Sequence, residues 1–492
     1  MVTEEIKYRI RQSLGFPPTA EQEQAIGVFA DFMADRSSRA VMILRGSAGT
    51  GKTTLAGAIV RALENLKQKM VLLAPTGRAA KVFAQNANSA AYTIHRRIYR
   101  QKTAGDLSAF NLNVNLQRDT LFVIDEASMI SLTPGPSPGG EGSQFGSGCL
   151  LDDLVEFVYG TDQNCRMLLI GDPAQLPPVG EEESPALSSA MLHAYGMTVY
   201  ETELSEVLRQ SQESGILYNA TRIRSLPLEG APRIRFAGFP DIKVVPGDEL
   251  IESLATSYSH AGLDDTIVIT RSNKRANIYN QGIRNTVLDR DEELCRGDRL
   301  MIVKNNYSLP LTPSRRGGTA APEASPAGGG LVGAFIANGD IATVQRVRNV
   351  HEQHGFRFAE VTLQFPDYDD YELTATVLLD TLTSEAPSLT REQQQQLYER
   401  VMEDYADIPL KADRIKKLKE DRYYNALQVK FAYAVTCHKA QGGQWAHVYV
   451  DQGYMTDDML NADYLHWLYT AFTRATDRLF LVNWPKTQVE EA

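Results

Sequence analysis

The chain has 492 residues, 43% hydrophobic and 23% charged, and a formal net charge of −11. That balance excludes global disorder, and the length divides into about three domains at roughly 150 residues each. No apolar run approaches the ~18 residues of a membrane span. Scattered cysteines (Cys149, Cys165, Cys295, Cys437) without a CxxC pair argue against a disulfide framework and a zinc ribbon. The start, MVTEEIKYRIRQSLG, has no apolar core for a signal peptide, so a cytoplasmic or nucleoid location is expected.

Charge is uneven along the chain. Residues 1–132 carry 17 Lys+Arg against 11 Asp+Glu, whereas residues 133–492 carry 33 against 50. A basic groove on an acidic body is compatible with a polyanionic partner, because affinity follows local potential.

In chain order, PPTAEQEQAIGVFADFMA places Ala25, Val28, Phe29 and Phe32 at helical spacing. The run AVMIL (40–44) predicts a strand, followed by a glycine-rich turn and a helix with Leu55, Ile59, Ala62, Leu63 and Leu66 on one face. Further strands are predicted at 70–74, 120–125, 166–171, 197–201 and 266–270, with helical patterns between several of them. This alternation predicts an α/β fold with parallel sheets covered on both faces. After about residue 295 the runs GDRLMIV, IATVQRV, FAEVTLQF and YELTATVLL predict a small β-barrel. Residues 388–424 predict a charged, solvated helical insertion. FAYAV, HVYVD and RLFLV then resume the α/β pattern, as if a sheet were interrupted by an inserted module. Two stretches rich in Gly, Pro and Ser, 133–148 and 312–330, predict flexible surface loops.

The segment GSAGTGKT, Gly46 to Thr53, fits the phosphate-loop pattern. Its glycines let backbone N–H groups curl around phosphate oxygens, Lys52 reaches the β/γ-phosphates, and Thr53 ligates Mg2+. Its place between a strand and an amphipathic helix is the context that this chemistry needs. LFVIDEAS delivers Asp125 and Glu126 at the C-terminal end of a strand, where ligands bind in open α/β sheets. Asp125 would hold Mg2+ and Glu126 would polarise an attacking water. LLIGDPAQLPPVG (168–180) is again a strand ending in a polar turn. In AAYTIHRRIYRQK (90–102), Tyr92, His95 and Tyr99 alternate with Arg96, Arg97, Arg100 and Lys102. That mixture fits a single-strand binder better than the alternative, a solvated basic helix face. The pair His351 and His354 (HEQH) lacks further metal ligands, and Asp241 and Lys243 in PDIK lack the carboxylate partner that a nuclease would need.

The strings TAEQEQAI (19–26), GSAGTGKT, APTGRAAKVF (74–83), TIHR (93–96), IDEAS, GDPAQLPP, LRQ (208–210), VTCHKAQG (435–442) and LYTAFTRA (468–475) occur in one order. In wording and order the chain resembles the B-type branch of superfamily 1 helicases, which contains RecD, Dda and the PIF-type enzymes. The resemblance covers residues 19 to about 482.

It implies two RecA-like P-loop motor domains with ATP between them and single-stranded DNA across them. The first would span 1–205, with a small pin near 95–118. The second would be split, 206–295 plus 430–492, around an SH3-like β-barrel at 296–429. In this resemblance Gln22 reads the adenine, Gly46, Ser47, Ala48, Gly49, Thr50, Gly51, Lys52, Thr53 and Thr54 hold ATP, and Thr53 with Asp125 binds Mg2+. Lys52, Asp125, Glu126, Gln175, Arg209 and Arg474 form the catalytic set. Gln175 senses the γ-phosphate, and the two arginines reach it from the second domain. Thr76, Thr93, His95, Arg96, Thr436, His438, Lys439 and Gln441 fall on DNA-contacting motifs, and Phe83 either stacks on a base or packs in the core. The implied activity is ATP-dependent 5′ to 3′ unwinding of tailed duplexes by a monomer. The alternatives are a motor subunit of a RecBCD-like nuclease assembly and a nucleic-acid clamp without unwinding. Two departures from the family pattern stand out: the Gly/Pro-rich loop directly after IDEAS, and the charged segment 388–424.

Overall fold

The computed structural model describes residues 2–101, 109–132, 144–161, 163–207, 213–226, 232–304, 336, 338–368, 370–456 and 459–490. The predicted strands assemble into two parallel sheets, each of RecA type. The first sheet runs, in spatial order, Ala91–Thr93, Lys69–Ala74, Thr120–Ile124, Arg166–Gly171, Ala40–Gly46 and Thr198–Leu204. Parallel strands need crossover connections, and helices such as Lys52–Asn65, Gly77–Ala87 and Leu150–Tyr159 supply them. The central strand Ala40–Gly46 alternates in the expected period of two. Met42 and Leu44 pack against Ile26, Phe29, Leu55 and Ile59 on one face. Val41 and Ile43 join Phe122, Leu154 and Phe157 on the other.

The second sheet has the order Ile242–Val245, Ala475–Val482, Trp445–Asp451, Thr266–Thr270 and Ala434–Thr436, again all parallel. Between Thr266–Thr270 and Ala434–Thr436 the chain builds a closed barrel from Arg299–Ile302, Ile341–Gln353, Phe356–Phe365, Tyr371–Leu378 and Leu427–Phe431. Its core of Leu300, Ala342, Val361, Leu363, Val377 and Val429 is continuous with Val268, Tyr449 and Val482 of the second sheet. The interrupted sheet and the inserted barrel are therefore both present. No helix among the described residues is long and apolar enough to cross a membrane.

Other expectations need correction. Residues 144–148 are not a plain tether. Gln144–Phe145 forms a short strand beside Ala109–Leu112, which in turn pairs with Tyr99–Gln101, and the Ser147 N–H donates to Asp153 Oδ1 (3.0 Å). Backbone pairing is open to any residue except proline, so composition alone cannot reveal it. Residues 133–143, residues 312–330 and the part 102–108 of the expected pin lie outside the described residues.

Nor is segment 388–424 a solvated insertion. Helices Arg391–Glu403 and Lys411–Glu420 place Leu397, Val401 and Leu418 in a separate core with Phe356, Phe358 and Leu378 of the barrel. His351 and His354 belong to the same packing, with ring centroids 5.7 and 5.4 Å from that of Tyr423. Asp241 caps helix Gly215–Ser225, accepting from the Gly215 N–H (2.8 Å) and the Ser214 hydroxyl (2.6 Å).

Candidate functional site

Strand Ala40–Gly46 ends in the glycine-rich turn, and helix Lys52–Asn65 begins immediately after it. Gly49 and Gly51 adopt φ of +79° and +78°, a conformation that strains any residue with a Cβ. The Thr50 hydroxyl donates to the Ser47 carbonyl (2.8 Å), and Lys52 Nζ donates to the Gly46 carbonyl (2.9 Å). The loop is thus closed on itself, with its ammonium folded over it at the positive end of a helix dipole. Thr54, one residue further, is exposed on the helix. Beneath the loop, Gln22 is fully buried: its Oε1 accepts from the Thr19 N–H (3.1 Å) and its Nε2 donates to the Thr50 carbonyl (3.4 Å).

Asp125 follows the neighbouring strand Thr120–Ile124 and is buried. Burial and the adjacent Glu126 charge push its carboxyl up to about 6, with Lys52 opposing them. Glu126 sits at a left-handed φ of 51°, and its buried Oε2 has no partner among the described residues. A cavity of about 170 Å3 opens here, lined by Thr53, Ala79, Asp125, Glu126, Gly442 and Gln444. A crowded acidic pair facing a hydroxyl is a donor set suited to a hard divalent cation, which would relieve the repulsion that raises Asp125.

The second RecA-like domain closes over this loop through helix Ala462–Phe472. The Tyr469 hydroxyl accepts from the Ala48 N–H (2.9 Å) and donates to Asp172 Oδ2 (2.5 Å). Leu176 N donates to the Thr470 hydroxyl (2.8 Å), and Gln441 Nε2 donates to the Leu176 carbonyl (2.6 Å). Gln175 is buried, and its Oε1 has no partner among the described residues. Arg474 is buried and donates to the carbonyls of Thr470 (3.1 Å) and Gly443 (3.2 Å) and to the Thr473 hydroxyl (3.2 Å), all within its own domain. Arg209 lies outside the described residues.

A second cavity, about 160 Å3, brings together Thr76, His438, Lys439 and Gln441 with Arg78, Asn338 and Trp445. Burial and the charge of Lys430 push the Lys439 ammonium down to about 8. Gly442 approaches the first domain so closely that a Cβ there would lie 3.0 Å from Ala79 Cβ and 3.1 Å from Thr76 Oγ1. Thr76 caps helix Gly77–Ala87, accepting from the Ala79 N–H (3.2 Å). Thr93 caps the short helix Ile94–Ile98 through the Arg96 N–H (3.3 Å). The His95 ring lies 5.6 Å from Tyr99, and burial pushes its pKa down to about 4, leaving a neutral imidazole. Thr436 ends a strand and makes no side-chain cap bond.

Of the two readings of Phe83, core packing is the one realised. The side chain is fully buried in the core of the first domain, so neither ring face can receive a base. Sequence reasoning also passed over Arg78, whose guanidinium lies 4.3 Å from the Trp445 ring centroid and donates to the Gln444 carbonyl (2.6 Å), and over Tyr469. Both residues stand inside quoted motifs, but nothing in the local sequence names their partners.

Two parallel sheets with a phosphate loop held between them define a P-loop protein of the two-domain RecA-like class. An AAA-domain family model matches residues 19–134, and a UvrD-like helicase C-terminal domain model matches residues 431–482. The ATP-dependent RecD2 DNA helicase of Deinococcus radiodurans is 27% identical over 180 residues, covering 37% of this chain and 21% of that protein. An uncharacterized protein of Methanocaldococcus jannaschii is 31% identical over 173 residues, covering 32% of this chain and 13% of that protein. The chain thus covers only 21% of the length of the first of these relatives and 13% of the second. Among solved structures, Pif1 helicase from Bacteroides with ADP-AlF3 and single-stranded DNA aligns over 97% of this chain and 95% of its own, at 14% identity and TM-score 0.46. Pif1 helicase from Candida albicans aligns over 97% of each chain at 16% identity and TM-score 0.42. The two family models fall on the phosphate-loop end and on the C-terminal end of a chain whose ordered motifs resemble those of the RecD/PIF-type group of superfamily 1 helicases.

Proposed function

We propose that this chain is an ATP-driven motor that moves 5′ to 3′ on single-stranded DNA and unwinds tailed duplexes, acting as a monomer inside the cell. The observation that carries this reading is the phosphate loop lying directly under the second RecA-like domain, with Ala48 bonded to Tyr469 across the cleft. A triphosphate bound there would meet groups from both domains, so hydrolysis can change how the domains sit against each other.

In this reading Lys52 and the loop amides Ser47 to Thr54 hold the phosphates, and Gln22 lies where the base would be read. Thr53 and Asp125 would hold Mg2+, which supplies charge neutralisation on the phosphate oxygens when bound. Glu126, whose Oε2 has no partner among the described residues, orients and polarises the attacking water. Arg474 and Arg209 stabilise the transferring phosphoryl charge once the cleft tightens, and Gln175 senses it. Thr76, Thr93, His95 and Arg96 on the first domain alternate as backbone grips with Thr436, His438, Lys439 and Gln441 on the second. The neutral imidazole of His95 makes it a hydrogen-bonding group and not a cation.

Mg2+-dependent ATPase activity, measured with and without single-stranded DNA, tests the catalytic part. DNA should stimulate turnover, Lys52→Ala should abolish it, and Glu126→Gln should bind nucleotide yet turn over very slowly. Near-normal turnover in Lys52→Ala would refute the assignment of the phosphate site.

A further inference from the structure

The contacts between phosphate loop and second domain form one continuous chain. The Ala48 N–H donates to the Tyr469 hydroxyl (2.9 Å), which donates to Asp172 Oδ2 (2.5 Å). Asp172 is buried, and its other oxygen accepts from the Ala174 N–H (3.0 Å), shaping the turn that runs on to Leu176. Leu176 is held at both of its backbone polar groups, by the Thr470 hydroxyl on its N–H (2.8 Å) and by Gln441 on its carbonyl (2.6 Å). Gln441 lines the same cavity as Thr76, His438 and Lys439. Burial and the Asp172 carboxylate push the Tyr469 pKa well up, so the hydroxyl keeps its proton and its donor sense toward Asp172 is fixed.

We propose that Tyr469 is a positioning residue that joins the phosphate loop to the strand-binding cavity by way of the Asp172–Leu176 turn. The proposal rests on the ATP-driven DNA motor reading above. Its physical basis is competition for one backbone donor. Phosphate-loop amides are the groups that bind anions, and in this conformation the Ala48 amide is held by Tyr469. A triphosphate that draws on that amide releases the hydroxyl, alters the anchoring of Asp172, and so shifts the turn against which Gln441 is braced. The aromatic ring, buried within the second-domain core, stays in place while its oxygen changes partner. A hydrogen-bonded turn with two arrangements is the kind of element that can couple two sites.

The test is the affinity for fluorescein-labelled oligothymidylate, read by anisotropy with and without Mg2+ and a non-hydrolysable ATP analogue. In the unaltered protein the analogue should change DNA affinity. Tyr469→Phe keeps the ring and removes only the hydroxyl, and should shrink that nucleotide-dependent change about ten-fold, the scale of one charge-assisted hydrogen bond. Asp172→Asn should act in the same direction, and decides the matter if Tyr469→Phe does not fold. The double variant should be no worse than the more severe single variant. An undiminished nucleotide effect in the folded variants, or full additivity in the double, would overturn the proposal and leave the motor reading standing. An unaltered protein whose DNA affinity ignores nucleotide, while ATPase activity persists, would also overturn it. Absence of both DNA binding and ATPase activity would instead remove the reading on which it rests.

Discussion

Replacing Asp298 with alanine should loosen the joint between the second RecA-like domain and the barrel. Asp298 is fully buried and accepts from Arg284 Nε (3.1 Å) and Nη2 (3.0 Å), Arg290 Nη1 (2.9 Å), the Tyr433 hydroxyl (2.8 Å) and the Cys295 N–H (2.7 Å). These donors come from the segment leaving the sheet and from the return beside strand Ala434–Thr436, so one carboxylate pins both crossings. Removing one partner of a buried ion pair costs about 3–5 kcal/mol, because the other charge is left uncompensated. Here two guanidinium groups are stranded, and Arg284 is itself buried. The neutral donors lose an acceptor as well, at about 1–3 kcal/mol each, but contacts sharing one network do not add. About 5 kcal/mol is the resulting expectation. At about 2–4 °C per kcal/mol for a body of this size, the second domain and barrel should melt roughly 10 °C or more below their normal temperature. Differential scanning calorimetry should show this as an early transition split from that of the phosphate-loop domain, which contains none of these residues. A shift under about 2 °C would refute the claim that this carboxylate carries the joint.

Phe83→Ala should cost about 3–5 kcal/mol of stability through the cavity it leaves, while the folded fraction keeps its affinity for single-stranded DNA. Thermal melting beside anisotropy checks this, and lost DNA affinity without lost stability would restore the base-stacking role. For His95, burial lowers the folded-state pKa from 6.5 to about 4. The stability gained from keeping it neutral is therefore complete above pH 6.5 and is lost as pH falls through about 4. Denaturation midpoints measured from pH 7 to pH 4 should fall more steeply in the unaltered protein than in His95→Leu. Equal slopes would contradict the burial of that ring.

Contiguous features were legible in the sequence, and paired ones were not. The phosphate loop, its flanking strand and helix, and the Asp125–Glu126 pair each occupy one short stretch, so local pattern exposes both fold and chemistry. The barrel insertion announced itself by a change in apolar period. Tyr469 and Asp172, by contrast, meet only because two sheets pack across a cleft, and no spacing encodes that. Phe83 shares a helical face with Ala79 and Ala80, a pattern that serves a core and a binding face alike. In 388–424 the buried seam is four residues, Leu389, Leu397, Val401 and Leu418, hidden among charges that make the whole segment look solvated. Asp241 resembled a fragment of catalytic machinery because its true partners, the N-terminal groups of a helix at Ser214 and Gly215, lie earlier in the chain.

The central claim is that the two domains grip DNA alternately and carry it in one direction, and strand displacement tests it most directly. With ATP and Mg2+, a duplex bearing only a single-stranded 5′ tail should be opened, and one bearing only a 3′ tail should not. Efficient opening from the 3′ tail alone would contradict the assigned direction. Displacement from neither tail, with DNA-stimulated ATPase intact, would contradict unwinding itself and leave a nucleotide-gated clamp.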